Sequence, residues 1–154
     1  MEGLEGFDKG LSGLIFLKIK HSVGKGGSNR YDDVQRIQFL LNVIHVDPGN
    51  GFRMPALLAM DGICGQRTKA AILGYQEYKQ YREFPLAAVD GVVTATHHAM
   101  FTNPRGFGFS TILNLNWDYL QAMPRANLAE VFVGAAMEPL YSTVIVPLRK
   151  GGVL

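Results

Sequence analysis

The stretch "DGICGQRT" at residues 61–68 constrains the fold of this chain more than any other feature. An Asp-Gly pair favours a tight turn, because Gly62 adopts positive φ freely and the Asp61 carboxylate can accept backbone N–H groups just downstream. Gly65 permits a second left-handed residue or a close backbone approach. Thr68 can cap a following helix, and Ile63 is expected to point inward. The pattern predicts a compact loop that starts a helix.

Apolar spacing predicts a helix on each side of this loop. Val34, Ile37, Leu41 and Ile44 follow one another at helical intervals after two acidic residues, which suit a helix N-terminus, and predict a helix over 31–45. Ala71, Ile72 and Tyr75 predict a second helix over 67–80, with Tyr75 on its apolar face.

The rest of the chain alternates short elements with loops. We expect a strand within 14–23, a flexible connector at 24–29, a loop at 46–55 and short helices over 95–101, 111–122 and 126–138. The β-branched run at 141–148 predicts a terminal strand. In the helix over 111–122, Trp117 is expected on the core face with Leu113 and Leu120.

A second Asp-Gly pair occurs in "VDGVV" at residues 89–93. Asp90 and Gly91 are expected to form a second structural turn. The sequence after this turn differs from that after the first. Thr94 stands where Gly65 stands in the first loop, and His97 stands at the position of Thr68, with Thr96 one residue early.

Together these motifs resemble the peptidoglycan-binding domain of bacterial and phage cell-wall proteins. The resemblance lies in Val34-x-x-Ile37-Gln38-x-x-Leu41, in Asp61-Gly62-x-x-Gly65-x-x-Thr68-x-x-Ala71-Ile72-x-x-Tyr75-Gln76, and in Asp90-Gly91-x-Val93. It covers residues 22–101, about half of the chain. It departs from the family pattern in Cys64, in the long insertion at 45–60 and in the second loop.

The resemblance implies a mainly α protein built on a small three-helix bundle. We expect a lead-in and short strand over 1–21, the peptidoglycan-binding-like domain over 22–101, and an α/β extension over 102–154 that packs on this domain or on a partner. In this reading, Asp61, Gly62, Gly65, Thr68, Asp90 and Gly91 are structural residues.

Composition excludes several other classes. The 154 residues carry a formal net charge of +2, and the basic residues near the start form only a loose cluster, so we expect no nucleic-acid partner. The first apolar run is too short for a signal peptide or a membrane span. We therefore expect synthesis in the cytoplasm. Delivery to the periplasm or envelope would then use a non-classical route, such as phage lysis or a dedicated secretion system.

The sequence gives no support for catalysis. His21, His45, His97 and His98 do not form a zinc-ligand pattern, and the glutamates show no paired arrangement for glycoside chemistry. Cys64, the single cysteine, fits a buried structural thiol better than a nucleophile. We therefore expect no enzyme activity, no metal and no cofactor, with a cysteine or zinc hydrolase as the disfavoured alternative.

Two functions stay open. The first is a non-catalytic protein that binds peptidoglycan or a muropeptide, whose sugar rings, amides and carboxylates call for aromatic, amide and cationic side chains. The candidates for this role are Arg30, Tyr31, Gln66, Arg67, Tyr78 and Asn103. The second is an interaction protein, such as an immunity protein or adaptor, that keeps the scaffold without binding glycan. A protein partner would then use the apolar C-terminal region.

Overall fold

A computed structural model describes residues 7–9, 15–82, 86, 88–95 and 110–131. This part of the chain is mainly helical. Its elements are β1 (Phe7–Lys9), β2 (Ile15–Leu17), β3 (Val23–Gly24), α1 (Tyr31–Val46), α2 (Gln66–Lys79), β4 (Val92–Val93), α3 (Thr111–Ala122) and α4 (Leu128–Val131). Antiparallel pairing joins β1 to β2 and β3 to β4.

The helices over 31–45, 67–80 and 111–122 are confirmed to within about one residue at each end. Of the helix predicted over 126–138, the described residues contain α4 alone. The predicted strand at 141–148 and nearly all of the predicted helix over 95–101 lie outside the described residues.

The short strand predicted within 14–23 is confirmed as β2, which ends at Leu17, and the chain forms a second short strand, β3, only at the end of this stretch. The carboxylate of Asp33 accepts the backbone N–H of Lys20 at 2.9 Å and that of His21 at 3.0 Å. These two bonds draw the chain between the strands toward the start of α1 and away from a ladder. The acidic residue thus organises the preceding turn.

Helix α1 is the centre of the core. Every residue from Asp33 to Ile44 is buried, because α2, α3, α4 and β3 all pack against this helix. The burial includes polar side chains that the helical spacing does not mark as core, namely Gln35, Gln38 and Asn42. A buried amide is costly unless it is hydrogen-bonded, and each of these three bonds a backbone group of the segment that follows α1.

Gln38 closes the first Asp-Gly turn from inside the core. Its Nε2 donates to Asp61 Oδ1, the Ile63 carbonyl and Thr68 Oγ1, each at 3.1 Å, and its Oε1 accepts the Gly62 N–H at 3.0 Å. The Asp61 carboxylate also accepts the Ile63 N–H. Gly62 has φ +72°, as the Asp-Gly pattern predicts. We call this arrangement the first glutamine clasp.

Gln76 repeats the arrangement from α2 and forms the second glutamine clasp. Its Nε2 donates to Asp90 Oδ1 (3.4 Å), the Val92 carbonyl (3.0 Å) and Thr111 Oγ1 (2.9 Å), and its Oε1 accepts the Gly91 N–H (2.7 Å). Gly91 has φ +79°, so the prediction of a second structural turn is confirmed. Thr111, at the start of α3, occupies the position in this clasp that Thr68 occupies in the first. The sequence spacing had assigned that position to residues 96–97.

Three details predicted for the first loop were wrong. Thr68 does not cap α2, because the N-cap residue is Gly65. The Thr68 hydroxyl instead accepts a hydrogen bond from the buried Gln38. Gly65 has φ −83° and is not left-handed. Ile63 is 65% exposed rather than inward-facing, because its carbonyl, not its side chain, points to the clasp.

Helix α3 packs on the core with apolar side chains and is also attached to it by polar ones. Asn116 accepts the Leu17 N–H at 2.6 Å and donates to the Leu17 carbonyl at 3.0 Å. Asp118 accepts the Tyr75 hydroxyl at 2.6 Å and lies 3.3 Å from Lys79 Nζ. Asp118 and Tyr119 therefore share the buried side of the helix, and Trp117, expected in the core, is 41% exposed.

The clasps predict a specific pattern of stability. We expect Gln38→Leu and Gln76→Leu each to lower the free energy of unfolding by about 3 kcal/mol, because each leaves buried turn groups without a partner. Urea denaturation followed by circular dichroism measures this. Gln66→Ala is the control: Gln66 is exposed, so its loss should change stability by less than about 0.5 kcal/mol. Equal effects for Gln38→Leu and Gln66→Ala would contradict the role of the clasp.

Candidate functional site

The segment that connects α1 to α2 forms one wall of a groove, and its first half is braced by charged side chains. The Asp47 carboxylate accepts the Gly49 N–H and binds the Arg125 guanidinium at 2.8 Å. The Arg53 guanidinium donates to the backbone carbonyls of Asp47, Asn50 and Phe52. This half of the segment is therefore fixed by its own hydrogen bonds and by the ion pair with Arg125.

The second half of this segment is held by α1. The imidazole Nδ1 of His45 accepts the Met54 N–H at 3.0 Å. Asn42 bonds both backbone groups of Leu58, each at 2.8 Å. Partial burial, and secondarily the charge of Arg53, lowers the pKa of His45 from its usual 6.5, which favours the neutral ring that this hydrogen bond requires.

The groove lies between this wall and one face of α2. Its volume is about 330 Å³, and it is lined by Phe52, Arg53, Met54, Pro55, Ala56, Leu58, Arg67, Ala70, Ala71 and Gly74. Small residues on α2 make the space: a Cβ added at Gly74 would meet no atom within 4 Å. Arg67 lies one helical turn before these small residues and is exposed.

Aromatic side chains pack beside Phe52. The Phe52 ring is edge-on to Tyr75, with centroids 5.3 Å apart, and its centroid lies 6.0 Å from that of Tyr78. The Arg82 guanidinium stacks 3.9 Å above the Tyr78 ring. Phe52 is only 4% exposed, so these rings form a packed cluster with the core. Tyr75 is confirmed as a core residue, with its pKa raised well above the usual value, first by burial and then by Asp118.

The structure separates the candidate binding residues into two places. Arg67 lines the groove, and Tyr78 lies further along the same face of α2, against Phe52 and Gly51. Arg30 and Tyr31 lie at the start of α1, where the Tyr31 ring covers Gly62 of the first clasp. Gln66 is exposed at the start of α2. Asn103 lies outside the described residues.

Most of the residues that line the groove were not among the binding residues predicted from the sequence. Phe52, Met54, Pro55 and Leu58 belong to the long segment between the first helix and the Asp-Gly turn, and loops of this length are often functional. Gly74 gives a second signal. A glycine inside an otherwise regular helix costs stability, and such a residue frequently has a packing or functional reason.

Two features of the described residues bear on metal-binding and nucleophilic groups. Among the described residues, no three His, Cys, Asp or Glu side chains lie close enough to hold a metal ion. Cys64 is partly buried against the core, and desolvation raises the pKa of its thiol despite the nearby Lys69, which disfavours the nucleophilic thiolate. Within the described ranges, no helix has the length and apolar character needed to cross a membrane.

Comparison with known proteins supplies no further guide. No protein-family model, no curated protein and no solved structure matches the chain.

The hydrogen bond from Met54 to His45 predicts a pH dependence of the groove wall. Because the pKa of His45 is lower in the folded than in the unfolded chain, its contribution to stability is complete above about pH 6.5 and is lost as the pH falls toward the folded pKa. NMR titration of the His45 ring should give a midpoint below 6.5, and the amide protection factor of Met54, which corrects for the intrinsic pH dependence of exchange, should fall over the same range.

His45→Gln, which keeps a hydrogen-bond acceptor but does not titrate, serves both to assign the signal and to remove this part of the pH dependence. A midpoint for His45 at or above its value in the urea-unfolded chain would contradict the interpretation.

The open space beside Gly74 predicts a stabilising substitution. Gly74→Ala should raise the free energy of unfolding by about 0.5–1 kcal/mol, because alanine is favoured inside a helix and its methyl group meets no neighbour. Thermal and urea denaturation measure the change. Gly62→Ala is the matched control and should destabilise, since Gly62 has positive φ and its new methyl would collide with Tyr31. A loss of stability in Gly74→Ala would contradict the presence of open space beside Gly74.

Proposed function

We propose that this protein is a non-catalytic peptidoglycan-binding protein of bacterial or phage origin, and that the groove between residues 52–58 and α2 is its binding site. The observation that carries the proposal is the preformed groove with the Arg67 guanidinium on its lining. A muropeptide presents carboxylates and alanine methyl groups, which match one cation and an apolar floor.

The glutamine clasps also support the proposal, through the scaffold rather than through the binding site. The pattern shared with peptidoglycan-binding domains contains a glutamine in each of the first two helices, and here these are Gln38 and Gln76. Each closes the Asp-Gly turn that follows its helix. In this proposal α1, α2 and α3 are the three helices of the family bundle, and residues 94–110 are an insertion before the third.

One feature favours a second function, an adaptor or immunity protein that binds an apolar peptide segment of another protein. Apart from Arg53 and Arg67, the residues that line the groove have no polar side chain. Such a lining also suits the side chains of a protein partner. Binding to purified cell wall separates the two functions, since an adaptor has no reason to bind the wall.

The test is sedimentation of the purified protein with insoluble, protein-free sacculi. We expect the wild type to sediment with the sacculi and Gly74→Leu to remain largely in the supernatant, because leucine fills the groove from a position where the helix accepts a side chain. Loss of more than about 90% of the bound fraction corresponds to an affinity change of roughly tenfold or more.

Lys25→Gln is the matched control, since Lys25 is exposed and does not line the groove. This variant should sediment like the wild type. Retention of the wild type no better than that of an unrelated protein of equal charge would contradict cell-wall binding and favour the adaptor function. Equal retention of wild type and Gly74→Leu would place the site elsewhere.

A further inference from the structure

We infer that the groove recognises the stem peptide of peptidoglycan, through a free carboxylate bound by Arg67 and methyl groups packed on α2, and that it does not recognise the glycan. The inference rests on the proposed function and specifies its ligand. It follows from the groove's chemistry, from the separate roles of its two arginines and from the shape of its floor.

The lining side chains lack two kinds of group that sugar recognition uses, namely strong hydrogen-bond acceptors and open aromatic faces. A sugar ring presents hydroxyls that both donate and accept hydrogen bonds, and it stacks on open aromatic faces. The lining side chains include two guanidiniums, which only donate, and none that can accept a hydrogen bond strongly. The one lining aromatic ring, Phe52, is packed against Tyr75 and Tyr78 and is almost fully buried.

The two arginines have different roles. The Arg53 guanidinium already donates to three backbone carbonyls of its own loop, at 2.6–3.0 Å. Arg67 is exposed, and its guanidinium makes no hydrogen bond or ion pair with any other described residue. A guanidinium with its donors free binds a carboxylate through two parallel hydrogen bonds. Arg67 is therefore the group that would bind an anionic ligand.

The floor of the groove fits methyl groups. Ala70, Ala71 and Gly74 leave a shallow apolar surface opposite Met54 and Leu58. A stem peptide alternates alanine methyl groups with free carboxylates, and this is the pattern that the floor and Arg67 complement.

The experiment compares three forms of the same ligand. Intact sacculi are the sedimented ligand, and two soluble competitors are tested with the full chain: glycan strands released from sacculi by an N-acetylmuramoyl-L-alanine amidase, and the tetrapeptide L-Ala–γ-D-Glu–meso-diaminopimelate–D-Ala. We expect sedimentation with intact sacculi, displacement by the tetrapeptide, and at least about tenfold weaker displacement by the peptide-free glycan strands.

Arg67→Gln tests the carboxylate contact. It should weaken binding of the tetrapeptide about tenfold, as expected for loss of a charge-assisted bidentate contact, without changing the unfolding transition. Lys25→Gln removes the same charge from an exposed residue outside the groove and should bind like the wild type. Unchanged tetrapeptide binding in Arg67→Gln would overturn the inference.

The failure of the inference and that of the proposed function are distinguishable. Displacement from intact sacculi by the peptide-free glycan strands that is as strong as displacement by the tetrapeptide would overturn stem-peptide recognition and leave cell-wall binding intact. Absence of sedimentation with intact sacculi above an unrelated control protein of equal charge would overturn the proposed function, and the inference with it.

Discussion

The buried carboxamide of Gln38 supplies hydrogen-bond partners that the first Asp-Gly turn cannot supply for itself. An Asp-Gly turn that faces the core leaves backbone N–H and C=O groups away from water, and each costs free energy unless it is paired. A carboxamide suits this task because it both donates and accepts. Gln38 satisfies both kinds of group and also holds the hydroxyl of Thr68. The end of one turn and the start of the next helix are thereby fixed to the preceding helix.

Helix α2 takes part in both clasps, and this links the helices in series. It is positioned through Thr68 by Gln38 and in turn positions Thr111 of α3 through Gln76. The central helix α1 extends the same principle along its length, since Gln35 holds the Met60 carbonyl and Asn42 holds Leu58. The polar side chains of a buried helix therefore determine the path of the loop that becomes the groove wall.

The sequence predicted local features well and tertiary ones poorly. Helical spacing placed α1, α2 and α3, and the Asp-Gly pairs placed two left-handed glycines. The predicted directions of Ile63 and Thr68 were wrong because both depend on Gln38, which is distant in the chain. The predicted direction of Trp117 was wrong because the neighbouring Asp118 is turned inward by Tyr75 and Lys79. Fixed spacing also could not find Thr111, which lies 21 residues after Asp90 rather than seven. The groove depends on such long-range bonds and so was not predicted, although Arg67, which lines it, was among the candidate binding residues.

The rigidity of the wall bears on how the groove would bind. Its backbone is held by His45, Asn42 and Arg53 before any ligand arrives. A preformed site avoids the free-energy cost of ordering a loop on binding, so even a small groove can retain useful affinity. Selectivity then comes from the hydrogen-bond acceptors that the lining side chains lack. Since its polar side chains only donate, a ligand that brings its own acceptors, as a carboxylate does, is matched, whereas a polyhydroxyl surface leaves its donors unpaired.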